Sequence, residues 1–166
     1  MVGVPLAWAS TVSSLPSHNP AHIFFSGRNK TRADELISKT SKHSPSTKIT
    51  FIECDLASLT SVQSAAKQVL SLTNRLDVLI CNAGIMATPT ELSKDGYELQ
   101  FATNHLGHAL LMKVLLPLML ETAAQPMIRR GRLLRRRGTR LTGLITSRAL
   151  AKKLWEWTEK ELNDWN

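Results

Sequence analysis

Apolar and polar positions come in blocks along this chain, and the blocks change period in a regular order. Residues 22–27, HIFFSG, form a short apolar run ending on glycine, and residues 30–40, KTRADELISKT, show a helical period with charged faces. A β-branched and aromatic run, KITFIECD at 48–55, stops at Asp55. The segment SLTSVQSAAKQVLSLTN, 58–74, opens on a serine cap and puts Val62, Ala66, Val69 and Leu70 on one helical face. LDVLICNAG, 76–84, then predicts a third strand over 76–81 that runs into a small polar turn. Strands with little alternation, separated by helices, predict a parallel sheet covered on both faces, an α/β doubly wound design.

Beyond this point the pattern coarsens. Residues 95–124 read as one long helical stretch, apolar nearly all round past Leu106, with Pro117 expected to bend it or shift its last turns. Such a helix is buried on most sides, in the core or at a subunit contact, and its 98–124 portion is a candidate for self-association. At Pro126 the composition changes to Arg and Gly, and residues 127–143 show neither a helical nor a strand period. Residues 147–165 recover an amphipathic helix, with Leu150, Leu154, Trp157 and Leu162 near one stripe. The chain therefore divides into a partial α/β domain (1–125), an irregular Arg-rich segment (126–146) and a C-terminal helix (147–166).

Composition adds three points. The net charge is +8, but seven arginines and no acid lie between positions 128 and 140, so the rest of the chain is close to neutral. The basic segment has no interleaved aromatics, which argues against a nucleic-acid partner. Cys54 and Cys81 are the only cysteines and both sit in apolar runs, a pattern of buried, reduced thiols that suits a cytoplasmic location. The triplet Ala7-Trp8-Ala9 resembles a leader cleavage site without a charged segment before it. Residues 109–120, the longest apolar run, are broken by Lys113 and Pro117 and are too short to span a bilayer. His105 and His108 have no suitably spaced carboxylate or cysteine to complete a metal site, and both read as packing or surface residues.

Several residues taken together resemble the short-chain dehydrogenase/reductase family. They are Gly27-Arg28, Asp55-Leu56, the string CNAGIM at 81–86, and DGYELQFATNHLGHALL at 95–111 with its Asn104-x-x-Gly107. The resemblance covers roughly residues 9–125, and LAKKLWEWTEKEL near the end is similar to the C-terminus of fungal-type members. It implies a Rossmann-like sheet and an NADP(H)-linked oxidation or reduction of an alcohol/carbonyl pair. Gly27 would let the chain approach an adenosine ribose. Arg28 would pair with a 2′-phosphate, where an acid would select NAD. Asp55 with Leu56 would contact adenine, with helix capping as the plain alternative for Asp55. Asn82, Ala83 and Gly84 would bring backbone to the cofactor's ribose, and Asn104 would support the proton relay.

The sequence also departs from the family pattern. The glycine-rich phosphate turn falls on residues 1–8, MVGVPLAW, and keeps only Gly3, with Leu6 and Trp8 where glycines should stand. The strand before that turn would lie upstream of Met1, which leaves 22–26 and 76–81 flanking an open position. The family's serine and Tyr-x-x-x-Lys are missing: Tyr97 is the sole tyrosine, and Phe101 lies four residues on. The sequence thus implies an incomplete Rossmann-like domain of an oxidoreductase family. The alternative is a non-catalytic dinucleotide-binding remnant or a mis-assembled gene product, and a basic nucleic-acid-binding adaptor is more distant.

Overall fold

A computed structural model describes residues 20–125 and 148–165, together with two-residue strands at Ile128–Arg129 and Arg132–Leu133. The N-terminal elements are β1 (His22–Gly27), α1 (Lys30–His43), β2 (Lys48–Glu53) and α2 (Leu59–Leu72). β1 and β2 are parallel and in register from His22 opposite Lys48 to Gly27 opposite Glu53. Side chains alternate across this pair. Phe25 and Phe51, with Ile49, pack against Ala33, Leu36 and Ile37 of α1. On the other face Phe24, Ile52 and Cys54 join the main core. The sheet is thus covered on both faces, as its unbroken apolar runs require.

The main core lies between α2 and α3 (Leu99–Ala124). α2 is capped by Ser58 and buries Leu59, Val62, Ala65, Ala66 and Val69. Leu70, expected on this face, is 39% exposed, because the i, i+3, i+4, i+7 stripe runs through Ala65 and passes it by. Against the stripe stand Leu106, Leu110 and Leu115, each at most 2% exposed. Burial of each such leucine stabilises the fold by about 1.5–3 kcal/mol, so the helix pair carries more of the core than the two-stranded sheet does.

Four sequence expectations are corrected here. Residues 76–81 form no strand; among the described residues the ladders are β1 with β2 and the two-residue pair, beside an isolated antiparallel bridge between Leu92 and Glu98. A ladder needs a neighbour, and here Leu76 N–H donates instead to Thr122 Oγ1 at 2.9 Å. Leu76 and Leu79 still rest on the core, while Val78 is 66% and Ile80 48% exposed. Second, α3 starts at Leu99 rather than at 95. Gly96, at φ 83°, lies in a conformation no helix uses, and the Glu98 carboxylate caps the N–H groups of Gln100 and Phe101. The helix holds a π turn at Ala102–Leu106 and continues through Pro117 to Ala124. Third, part of the Arg-rich segment expected to be irregular pairs as an antiparallel hairpin, Ile128 opposite Leu133. Fourth, all 26 residues of α3 together are long and apolar enough to cross a bilayer by length and composition alone. The shorter run 109–120 had not suggested this. One face of α3 packs against α2, Leu76 and the C-terminal helix, and 39% of its most apolar window is buried.

The C-terminal helix, α4 (Arg148–Glu161), lies against the start of α3. Tyr97 OH donates to Glu161 Oε1 at 2.5 Å, and the Phe101 and Trp157 rings are 5.8 Å apart. Thr158 Oγ1 donates to the Leu154 carbonyl at 2.7 Å and so accepts from His105 Nε2 at 2.9 Å. Lys113 Nζ donates to the Leu162 carbonyl at 2.6 Å. Leu162 is buried as expected, but Leu154 and Trp157 remain 39% and 40% exposed, because the inward face of α4 runs through Thr158 and Leu162 and passes beside them. The side chain of Leu150 lies outside the described residues.

Candidate functional site

The C-terminal ends of the parallel strands supply the first part of the site. Cys54 N–H donates to the Gly27 carbonyl at 2.9 Å, so the pairing continues past the strands and holds Arg28 and Asp55 at the same edge of the sheet. Arg28 is exposed, directly before Asn29, whose side chain caps α1 by accepting from Arg32 N–H at 2.9 Å. The first turn of α1 contains no acid. An added Cβ at Gly27 would meet only the Phe51 ring, at 3.7 Å, so nothing within the described protein demands glycine there.

Asp55 does not cap α2, as its plain alternative had it. Its Oδ1 accepts from Ala57 N–H at 3.1 Å, a local turn, and its own N–H donates to Ser61 Oγ at 2.9 Å. Ser58 is the cap, and the N–H of Leu59 is met by Asp95 Oδ2 at 2.8 Å, from a loop 36 residues later. Leu56 is held differently: a Cβ on Gly107 would lie 2.4 Å from the Leu56 carbonyl oxygen. Only glycine allows α3 to come this close.

The turn of Asn82, Ala83 and Gly84 is fixed to the same helix. Asn104 Oδ1 accepts from Ile85 N–H at 2.8 Å, and its Nδ2 donates to the Ile85 carbonyl at 2.8 Å. Gly84 gives this amide room, since a Cβ there would sit 3.0 Å from Asn104 Oδ1. His108 Nε2 lies 2.6 Å from the Ala83 carbonyl. Asn104 sits within the π turn, a helix irregularity often found at functional positions. One turn of helix thus grips both the Leu56 and the Asn82-Ala83-Gly84 segments. Met86, which follows, is 88% exposed, and Ala87 has a left-handed φ of 55°.

Of the expected site residues, the structure brings Gly27, Arg28, Asp55 and Leu56 to one edge and joins Gly84 and Asn104. Gly3 and the rest of residues 1–8 lie outside the described residues. His105 is a packing residue, as expected; burial and then the neighbouring His108 lower its pKa, which keeps it neutral at pH 7. His108 was missed, and its one signal in the sequence is the i+4 spacing from Asn104. Tyr97 is committed to Glu161. That hydrogen bond, then partial burial and the charges of Glu161 and Asp95, push its pKa up to about 12, the wrong direction for a proton donor near neutral pH. Cys81 is exposed rather than buried, since the segment it ends has no sheet partner; Cys54 is buried as expected.

A parallel βαβ unit with polar turns at the strand ends defines a Rossmann-like α/β protein. Residues 10–128 match the family described as short chain dehydrogenase, and the chain belongs to that family. It is 41% identical over 105 residues to the short-chain dehydrogenase TIC 32 A, chloroplastic, of Brassica napus, covering 63% of this chain and 33% of that one. To the human polyprenol dehydrogenase it is 36% identical over 103 residues, 62% of this chain and 31% of the relative. The chain thus spans about a third of the length of these curated relatives. Among solved structures, the NADPH-bound carbonyl reductase from chicken fatty liver aligns with a TM-score of 0.52 at 30% identity, covering 74% of this chain and 49% of that one. A metagenomic short-chain oxidoreductase in complex with NADP shares the fold, with a TM-score of 0.59 at 21% identity over 69% of this chain and 51% of that one.

Proposed function

We propose that this chain binds NADP(H) through the adenosine end of the dinucleotide, and that its family chemistry is oxidation or reduction of an alcohol/carbonyl pair. The observation that carries the reading is the shared edge at which Arg28 and Asp55 stand, 2.9 Å pairing holding their strands together. The Arg28 guanidinium would hold a 2′-phosphate by paired charge-assisted hydrogen bonds. Asp55 and the Leu56 backbone would border the adenine, and the Asn82-Ala83-Gly84 turn would face a ribose. When bound, the nicotinamide would give the hydride to a carbonyl or take it from an alcohol. Asn104 would support a proton relay by holding the turn beside it.

Within these 166 residues the sole tyrosine is Tyr97, engaged with Glu161, so we propose that the chain by itself binds the nucleotide without turning it over. The reading keeps a cytoplasmic location, with Cys54 and Cys81 both free thiols. It also keeps self-association through α3, on which Met112, Leu116 and Leu120 form an exposed i, i+4, i+8 stripe. A mis-assembled product would bind no nucleotide, and a nucleic-acid adaptor would bind with a steep salt dependence.

Fluorescence titration of the purified chain tests this. NADPH should bind more tightly than NADH, and Arg28→Ala should erase the difference, costing about 1.5–3 kcal/mol. Equal affinities in the parent chain would refute the NADP(H) assignment. No turnover is expected with NADPH and a panel of aldehydes and ketones; protein-dependent oxidation lost in Asn104→Ala would overturn the non-catalytic part.

A further inference from the structure

We infer that His108 is a positioning residue for the Asn82-Ala83-Gly84 turn, acting beside Asn104 and fixing the direction of the Gly84 N–H; this rests on the dinucleotide reading above. A carbonyl oxygen can only accept, so the 2.6 Å contact with Ala83 O puts the imidazole proton on Nε2. His108 stands four residues after Asn104 on the same helix and faces the same side. The two side chains bracket Gly84: His108 holds residue 83, and Asn104 holds both the N–H and the carbonyl of residue 85.

The bracket has a stereochemical consequence. No peptide bond among the described residues is cis, and in a planar trans peptide the carbonyl and the following N–H point in opposite directions. With the Ala83 carbonyl drawn to α3, the Gly84 N–H is turned away from the helix, toward the open side of the turn. There it can donate to an acceptor oxygen of a ligand, such as a ribose hydroxyl. The helix grips this one peptide through His108, since Asn104 is used up on Ile85. Among the described residues His108 Nδ1 is buried without a hydrogen-bond partner, so the contact to the turn is the ring's one hydrogen bond there.

The test uses the full chain and three substitutions. Amide hydrogen exchange is read over residues 81–88 without ligand, and binding is read with NADPH and with 2′,5′-ADP, which carries only the adenosine end. In His108→Ala, exchange over 81–88 should speed about tenfold and NADPH should bind about tenfold more weakly. Binding of 2′,5′-ADP should change by less than about twofold, since Arg28 and Asp55 are untouched. His108→Gln, whose amide nitrogen reaches the place of Nε2, should restore both; His108→Asn, one bond shorter, should not. Unchanged exchange in His108→Ala overturns the inference. So does equal weakening of both ligands with a collapsed thermal transition, which would make His108 a fold residue only. If His108→Ala fails to fold, the Gln and Asn pair decides, and equal behaviour of the two overturns the inference. A parent chain that binds neither ligand refutes the dinucleotide reading, while exchange alone still decides whether His108 holds the turn.

Discussion

Two glycines show how differently the same residue can be constrained. A side chain at Gly107 would drive a Cβ to 2.4 Å from the Leu56 carbonyl oxygen, and backbone cannot give way as a flexible side chain can. Gly107→Ala should therefore lower stability by about 1–3 kcal/mol, the usual cost of overpacking, read as a lower thermal midpoint. Gly27→Ala has only the Phe51 ring at 3.7 Å to meet and should melt like the parent, with its effect confined to nucleotide binding. An unchanged midpoint in Gly107→Ala would show that α3 can retreat from Leu56. Tyr97 provides a pH test. Its pKa of about 12 lies above the ordinary tyrosine value of about 10. The contact with Glu161 thus adds stability fully below pH about 10, and this is lost as pH rises toward 12. Ultraviolet titration should place the midpoint near 12, and Glu161→Gln should bring it down. A midpoint near 10 in the parent would mean that the two side chains do not meet in solution. Asn104 and Gly107 were singled out in the sequence because Asn104-x-x-Gly107 belongs to the family resemblance, although their contacts, Ile85 and Leu56, lie far back in the chain. His108 was not, because its partner carbonyl lies 25 residues back and nothing in the string marks it.

Helix starts and strand ends were read with uneven success, and the reason is the range of the contact that fixes each one. β1 and β2 were found within a residue or two because each is a dense apolar run that finds a partner in the other. The same kind of run at 76–81 makes no strand, since strand preference expresses a fit to neighbours more than an intrinsic backbone choice. The cap of α2 was read correctly at Ser58, but its second half comes from Asp95, which no local window includes. Asp95→Ala should lower stability by about 1 kcal/mol, as removal of a helix cap does. The α2–α3 core should stay intact by circular dichroism. A loss near zero would mean that water replaces the carboxylate at the Leu59 N–H. The π turn was not legible at all, because a periodic pattern assumes constant pitch.

At the scale of the molecule, the apolar surface is unevenly satisfied. β2, α2, α3 and the end of the chain enclose an apolar core, while Val78, Ile80, Met112, Leu116 and Leu120 are left to solvent. Patches of this kind mark contacts between proteins. The chain should therefore associate as its concentration rises, and Leu116→Glu should shift sedimentation toward monomer without moving the thermal midpoint of the monomer. Association that persists unchanged in Leu116→Glu would locate the contact elsewhere, with residues 76–81 next to be tested. That segment ends at a convenient place for chemistry at the bench. Burial, and then the charge of Asp55, push the Cys54 thiol up to about 11, so at neutral pH it will not react with a maleimide. Partial burial raises the pKa of the Cys81 thiol as well, but the residue is exposed, directly before Asn82, and at mildly alkaline pH a reagent can reach it. A fluorophore can thus be placed at the mouth of the proposed nucleotide turn with no engineered cysteine, and its emission would report arrivals there in real time.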